Sequence, residues 1–144
     1  MIEIKKTAIV SHSIANMFRL VDDITSYPDF LPWCHRASEQ SRTAEHVVAT
    51  LEVGRGITKS FTTRNTLNFP QSITMALVEG PFSQLTGQWL FEALGSDGCR
   101  VTLELFYEPK GFDKIFSTVF HGMASSLVEA FCQRADKVYV HAQH

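Results

Sequence analysis

The fold is decided by residues 101–138, which read VTLELFYEPKGFDKIFSTVFHGMASSLVEAFCQRADKV. From Val101 to Tyr107 every second residue is apolar, which is the period of a strand with one buried face. From Phe112 the apolar residues instead recur every three or four positions, which is the period of an α-helix. This helical stripe consists of Phe112, Phe116, Val119, Phe120, Met123, Leu127, Phe131 and Val138. We therefore predict a strand followed by one long C-terminal helix of more than about 20 residues.

The period of two also runs back through residues 46–91 and indicates further strands joined by hairpins. Turn residues at 54–56, 70–71 and 80–81 separate the alternating runs. The positions predicted to share the inner face are Val47, Ala49, Leu51, Val53, Ile57, Phe61, Thr63, Asn65, Leu67, Ile73, Met75, Leu77, Leu85, Gly87, Trp89 and Phe91.

The N-terminal third predicts a strand, a short helix and an irregular segment. Residues 2–10 are rich in β-branched residues but contain two lysines, which favours a strand near a sheet edge. An amphipathic helix is expected to start at a Ser13 cap and to end near Ile24. Residues 26–33 hold two prolines and three aromatic residues, so we expect at most one helical turn there, beginning at Pro28.

The composition fits one domain that spans residues 1–144. Apolar residues make up 44% of the chain and charged residues 19%, a balance that disordered chains lack. The formal net charge is -2, whereas a chain that coats nucleic acid is normally basic. We therefore expect no DNA partner, and any RNA contact has to be a local patch.

The cysteines and the first residues predict where the protein resides. Cys34, Cys99 and Cys132 are odd in number and lack zinc-ligand spacing, so neither a disulfide framework nor a zinc module is indicated. Residues 1–6 carry charges where a signal peptide has its apolar stretch, and no run approaches the about 18 apolar residues of a spanning helix. We expect a soluble protein of the reducing cytoplasm.

These elements predict an α+β fold in which a curved antiparallel sheet of six or seven strands wraps around the terminal helix. Such a sheet commonly leaves a cavity beside the helix, and the small inward residues Gly87 and Ala49 would enlarge it to at least about 300 Å³. Alternatively, the inward rings simply pack on one another. Periodicity does not separate these two interpretations.

Catalytic motifs are missing from the sequence. It contains no nucleophile elbow, no HExxH, no Walker loop and no glycine-rich dinucleotide turn. Cys34 and His35 are adjacent in a strand and therefore point to opposite faces, which is a poor arrangement for a thiolate and its base. The remaining histidines show no metal-ligand spacing. We assign no catalytic residue and no metal ligand.

Two polar residues fall on faces predicted to be apolar. Arg134 shares the stripe of the last helix with Phe116 and Phe131, where a guanidinium costs several kcal/mol unless it is paired or reaches water. It is either part of a structural ion pair or a polar anchor for a ligand headgroup. Asn65 lies on the inner face of its strand and needs partners, one of which a bound carbonyl or hydroxyl would provide.

Five segments carry a resemblance to a known family. They are MFRLVDDI at 17–24, YPDFLPWC at 27–34, SFTTRN at 60–65, EGPF at 79–82 with Leu85, and FCQRA at 131–135 with Val138 and Tyr139. In this order they resemble the coenzyme-Q-binding START-domain proteins of the polyketide-cyclase-like, Bet v-type superfamily. That family also includes the RatA ribosome-association toxins and proteins labelled oligoketide cyclases. The resemblance spans nearly the whole chain and implies a helix-grip (START-like) fold, with two short helices after strand 1 and an apolar tunnel.

The first function that the resemblance implies is non-catalytic binding of ubiquinone or a related polyprenyl lipid, in support of respiration and with no cofactor required. An isoprenoid tail gains about 25 cal/mol per Å² of buried apolar area and needs few polar contacts. The expected ligand-binding residues are Trp33, Phe61, Asn65, Trp89, Phe91, Leu105, Phe120, Met123, Leu127, Phe131 and Arg134. The expected cavity mouth consists of Tyr27, Pro28, Phe30, Leu31 and Pro32. This interpretation allows a transient membrane contact and a position peripheral to the inner membrane.

Two alternatives remain open. The toxin branch implies binding to the large ribosomal subunit so that subunit joining is blocked, for which the candidate contacts are Lys5, Lys6, Arg55, Lys59 and Arg64. The cyclase branch implies a polyketide substrate and needs an acid or base, such as His35 or Tyr107, inside the tunnel.

Overall fold

The protein is built on one seven-stranded antiparallel sheet. The computed structural model describes residues 1–111 and 114–139. Its strands are β1 (Ile2–Val10), β2 (Cys34–Arg42), β3 (His46–Arg55), β4 (Ile57–Asn68), β5 (Ser72–Glu79), β6 (Phe82–Leu94) and β7 (Gly98–Pro109). They lie in the order β1-β7-β6-β5-β4-β3-β2, so six consecutive strands form a meander and β1 is added at the edge beside β7. The predicted meander and the edge position of β1 are both confirmed.

Two short helices follow β1. Helix α1 (Ile14–Asp22) has the predicted cap, because Ser13 Oγ accepts a hydrogen bond from the Asn16 N–H at 3.1 Å. A 3₁₀ helix (Ile24–Asp29) comes next. It begins before Pro28 and not at it, since the Ser26 N–H already donates to the Asp23 carbonyl and closes the first turn. The predicted start of this turn was therefore wrong.

The terminal helix is broken, which corrects the prediction of one long helix. Helix α2 (Lys114–Ser125) and helix α3 (Leu127–Val138) meet at a bend of 40°. At the break, both the N–H and the hydroxyl of Ser126 donate to the Met123 carbonyl, at 3.1 and 2.7 Å. Serine bonds of this kind compete with the regular helical ladder and bend it. Phe112, where the helix was expected to begin, lies outside the described residues.

The bend changes which side chains of the last helix are buried. Before it, Phe116, Phe120 and Met123 are buried as predicted, but Val119 is only half-buried and Ala124 is buried as well. After it the buried positions are Val128, Phe131 and Ala135, and Val138 is 43% exposed. The apolar faces of α2 and α3 pack on the inner face of the sheet, where ring contacts join the two layers. Ile57 is an exception on the sheet, because it follows the β3–β4 turn at the end of the sheet and is 46% exposed.

Candidate functional site

A small apolar cavity lies between the inner face of the sheet and helices α2 and α3. Its volume is about 90 Å³. The lining comes from the 3₁₀ helix, the segment before β2, five strands and both terminal helices: Ile24, Tyr27, Trp33, Ala49, Leu51, Val53, Phe61, Thr63, Asn65, Met75, Leu85, Trp89, Leu103, Leu105, Phe120, Met123, Ala124, Leu127 and Phe131.

The cavity is small because aromatic rings interlock across it. The ring centroids of Trp89 and Phe131 are 5.2 Å apart at an interplanar angle of 83°, and those of Phe61 and Phe120 are 6.1 Å apart at the same angle. Edge-to-face pairs of this kind fill space at the density of a protein core. The expected volume of at least about 300 Å³ is therefore not reached, and ring packing accounts for most of the space.

Gly87 does not enlarge the cavity as expected. A Cβ atom at this position would lie 2.5 Å from Leu105 Cδ2 and 3.2 Å from Met75 Cε. The space that a side chain would need is thus already filled from the neighbouring strands β5 and β7. The glycine is required for this close packing, whereas Ala49 does line the cavity.

The structure brings most of the predicted ligand-binding residues together. Nine of the eleven line the cavity, namely Trp33, Phe61, Asn65, Trp89, Leu105, Phe120, Met123, Leu127 and Phe131. Phe91 is buried behind the lining, parallel to the Trp89 ring at 6.4 Å and edge-on to Phe18 at 5.9 Å. Arg134 lies outside the cavity, in a surface groove where its guanidinium carbon is 5.1 Å from the centroid of the Phe30 ring.

The predicted mouth residues occupy different environments. Tyr27 lines the cavity, and its hydroxyl donates to the Val21 carbonyl. Phe30 packs against Phe131, with ring centroids 5.1 Å apart, but is not part of the lining. Leu31 is fully buried in the core, whereas Pro28 is half-buried and Pro32 is exposed.

Several lining residues were missed as ligand contacts at the sequence level. Met75, Leu85 and Leu103 are on alternating runs whose inner face was recognised, so the signal that places them in the lining was already present. Ile24 and Ala124 gave no such signal, because the first ends a short helix and the second is a small residue just before the bend.

Asn65 is the main polar group in the cavity. Its side-chain oxygen accepts a hydrogen bond from Thr63 Oγ1 at 2.9 Å. Within the part of the chain that the structure describes, its amide nitrogen has no further partner. Asn65 can therefore donate to a carbonyl or hydroxyl oxygen that enters the cavity.

The titratable groups in and near the cavity are unsuited to proton transfer at neutral pH. Burial, with a smaller contribution from Asp22, raises the pKa of Tyr27, so its hydroxyl stays protonated. Burial raises the pKa of the Cys34 thiol to about 11. His35 is exposed, with Nε2 2.8 Å from the Gly54 carbonyl oxygen, and Tyr107 is buried outside the lining. His35 and Tyr107, the two residues considered as acid or base for a cyclase, therefore both lie outside the cavity lining.

The basic residues expected to contact the ribosome do not form one surface. Lys5 and Lys6 are neighbours on β1 and therefore point to opposite faces of the sheet. Arg64 is exposed near the middle of β4, whereas Arg55 is at the β3–β4 turn. Lys59 is on the inner side, with its Nζ 5.9 Å from the centroid of the Phe116 ring. The five residues therefore do not share one face of the sheet.

Metal ligands and membrane-spanning helices also bear on what the site can do. Across 1–111 and 114–139, no group of three or more His, Cys, Asp or Glu side chains could hold a metal ion. In the same ranges, no single helix has the length and apolarity to cross a membrane; the bent pair α2–α3 passes that test only when its two helices are taken together, by length and composition.

The match to a known family agrees with this geometry. Residues 10–132 match the family described as polyketide cyclase / dehydrase and lipid transport. The chain belongs to that family. The Zhui aromatase/cyclase from Streptomyces sp. R1128 superposes on this family member with a TM-score of 0.82, covering 94% of each chain at 16% identity. At that identity the superposition establishes the shared helix-grip fold alone.

Among proteins similar to this polyketide cyclase family member, two bacterial toxins match over most of their length. The persistence and stress-resistance toxin PasT of Escherichia coli O6:H1 is 42% identical over 140 residues, which cover 95% of this chain and 89% of PasT. The ribosome association toxin RatA of Vibrio cholerae is 40% identical and is covered to 97%. The mitochondrial coenzyme Q-binding protein COQ10 of Drosophila melanogaster is 23% identical, and the match covers 55% of it.

Proposed function

We propose that this protein is a ribosome association toxin, which binds the large ribosomal subunit and hinders the joining of the two subunits. The observation that carries the proposal is the likeness to RatA and PasT, at 40% and 42% identity across 95% of this chain. The likeness to COQ10 is much weaker, at 23% identity. Binding to ribosomes implies a cytoplasmic location.

The geometry supports a function at the surface. The cavity of about 90 Å³ is well below the about 300 to 1,000 Å³ of small-molecule sites. A protein whose interior is closed can still bind a large partner through its exposed residues. Because the net charge is -2, that contact has to use a local group of cations that the acidic residues do not neutralise.

Sedimentation with ribosomal subunits tests the proposal. Purified protein is mixed with separated large and small subunits from its host, and each mixture is run through a sucrose gradient at 0.1 M salt. We expect the protein to move with the large subunit and to remain at the top of the gradient with the small subunit. Protein that stays at the top in both gradients contradicts the proposal.

We propose binding of a ubiquinone-like or other apolar ligand in the cavity as the second candidate function. It is favoured by a lining that is apolar apart from Thr63, Asn65 and the Tyr27 hydroxyl. Asn65 would donate to a quinone carbonyl, and the ring of Phe131 would have to move to admit the molecule. Such a carrier would contact membranes transiently, at the inner membrane.

Native mass spectrometry of protein from its own host tests the second candidate. A co-purified quinone that is lost in Leu127→Arg, with the circular dichroism spectrum unchanged, would support it. Asn65→Leu is tested beside it, because this variant keeps the lining apolar and removes the donor without burying a charge. A wild-type protein that carries no apolar molecule, and takes up none from quinone-containing vesicles, contradicts it.

Cyclase activity is not proposed for this chain. It requires an acid or base beside the substrate, and the two candidates, His35 and Tyr107, lie outside the lining of the cavity.

A further inference from the structure

A polar groove lies on the surface beside the aromatic wall of the cavity. Its volume is about 170 Å³, and it is lined by Asp29, Phe30, Ala130, Gln133, Arg134 and Lys137. Ala130 comes three and four residues before Gln133 and Arg134, and Lys137 comes four and three residues after them, so the four residues share one face of α3. The end of the 3₁₀ helix forms the other side.

Arg134 is held in this groove by a ring contact, and its guanidinium N–H groups donate no hydrogen bond to the described residues. Its guanidinium lies over the Phe30 ring, which in turn packs on Phe131 at 5.1 Å and on Tyr27 at 6.2 Å between centroids. Within the described residues it makes no salt bridge. Stacking on a ring face orients a guanidinium and leaves its N–H groups available to a ligand in the plane.

The arginines of the chain differ in this respect: Arg19 also lies over a ring, with its guanidinium carbon 5.0 Å from the Phe69 centroid, whereas Arg42 and Arg100 pair with carboxylates. Arg42 gives its donors to the carboxylates of Asp22 and Glu39 at 2.7 to 3.2 Å. Arg100 lies 3.6 Å from Glu92. Arg134, by contrast, is half-buried on an aromatic platform and has no carboxylate within salt-bridge distance in the described chain.

The lining of the groove has a net positive charge, because it contains two cations and one carboxylate. Lys137 follows Arg134 by three residues on α3 and makes no salt bridge to any described residue. Asp29 is the one carboxylate of the lining, and no salt bridge joins it to either cation. Two further carboxylates of α3 lie outside the lining and have partners of their own: Glu129 accepts from Gln133 at 3.3 Å, and Asp136 is bonded to His12 at 2.8 Å.

We propose that this groove is a phosphate-binding site, in which Arg134 binds two phosphate oxygens side by side and Lys137 adds a point charge. A planar guanidinium matches the spacing of phosphate oxygens, and an ammonium group adds attraction without requiring a fixed direction. This assignment rests on the proposed function, in which the phosphate belongs to the RNA backbone of the large ribosomal subunit. The groove then supplies the local cations that a chain of net charge -2 needs.

Binding to large subunits at several salt concentrations is the first test. Each phosphate contact that is lost reduces the slope of log K against log salt by about 1. For Arg134→Gln with Lys137→Gln we therefore expect a slope lower by about 1 and binding about tenfold weaker at 0.1 M salt. An unchanged slope in the folded double variant overturns the RNA assignment.

Matched variants separate the groove from general charge effects. Arg100→Gln removes the same charge as Arg134→Gln and is expected to leave the affinity within twofold. Asp29→Asn removes the repelling carboxylate and should tighten binding about two- to fivefold. Lys137→Gln alone changes an exposed side chain, so its effect can be measured even if Arg134→Gln unfolds. Equal weakening by Arg100→Gln and by Lys137→Gln contradicts a localised site.

A titration without ribosomes keeps the groove separate from the proposed function. Inorganic phosphate and a short single-stranded RNA are added while the side-chain N–H signal of Arg134 is followed by NMR. A shift that saturates in wild type, and that needs a higher probe concentration in Lys137→Gln, supports the phosphate site. If the protein then fails to sediment with ribosomes, a small phosphorylated molecule is the source of the phosphate. The absence of any shift with both probes overturns the phosphate site.

Discussion

Replacing Phe131 with alanine tests how tightly the cavity is closed. Phe131 is fully buried, and its ring contacts those of Tyr27, Phe30 and Trp89 at 5.1 to 5.2 Å between centroids. A Phe→Ala change in a core costs about 3 to 5 kcal/mol. Each of the three edge-to-face ring pairs adds about 0.5 to 1.5 kcal/mol beyond the burial of apolar area, so the cost at Phe131 should lie at the upper end of this range. Because alanine favours the helix by about 0.5 kcal/mol, we expect a net loss of about 4 kcal/mol.

Urea unfolding at equilibrium measures this loss from the shift in midpoint at unchanged slope. Val138→Ala is the matched control, since it shortens an exposed side chain on the same helix and should cost less than about 0.5 kcal/mol. A loss below about 2 kcal/mol for Phe131→Ala would mean that the ring already faces open space. That result would refute the closed cavity and favour an open tunnel.

Three further predictions use the same preparations. Gly87→Ala should lower the free energy of unfolding by about 1 to 3 kcal/mol, because its Cβ would lie 2.7 Å from a backbone oxygen. Gly122→Ala, in a helix with open space around the new Cβ, should raise it by about 0.5 to 1 kcal/mol. Equal effects of the two substitutions in urea titrations would contradict the packing described. The hydrogen bonds from Arg42 lower the pKa of Glu39, so this carboxylate stabilises the fold above its unfolded pKa, and the stabilisation disappears as the pH falls. Arg42→Gln should therefore lose less stability than wild type between about pH 5 and 3. Parallel curves of stability against pH would argue against the ion pair. With a pKa of about 11, Cys34 should react with iodoacetamide at pH 7 at least about 100-fold more slowly than a free thiol. Mass spectrometry of its peptide follows the reaction, and a rate near that of the free thiol would show that the residue is not buried.

Periodicity was enough to predict the sheet and the inner face of most of its strands. Val101, Leu103, Leu105 and Tyr107 are all buried, as their alternation requires. The break at Ser126 was not predicted, because apolar spacing reports the faces of a helix and not its backbone hydrogen bonds. Two serines in succession give a weak signal of a bend, which the continuous apolar stripe obscured.

The composition of the cavity could be predicted, but its volume could not. Small residues such as Gly87 enlarge a space only if no neighbour fills it, and here Leu105 and Met75 do. How far Phe131 reaches across the sheet depends on ring orientations that sequence spacing does not contain. Arg134 was recognised as unusual in its helical stripe, yet its position outside the cavity depends on the bend that precedes it and on the Phe30 ring.

Light scattering measures directly whether this protein hinders the joining of ribosomal subunits. Large and small subunits are mixed and their association is started by raising the magnesium concentration, with and without the protein in excess over the large subunit. We expect a smaller and slower rise in scattering that depends on protein concentration, and a weaker inhibition by Lys137→Gln than by Arg100→Gln. A rise identical to that of subunits alone, at a protein concentration several times that of the large subunit, contradicts the proposed function.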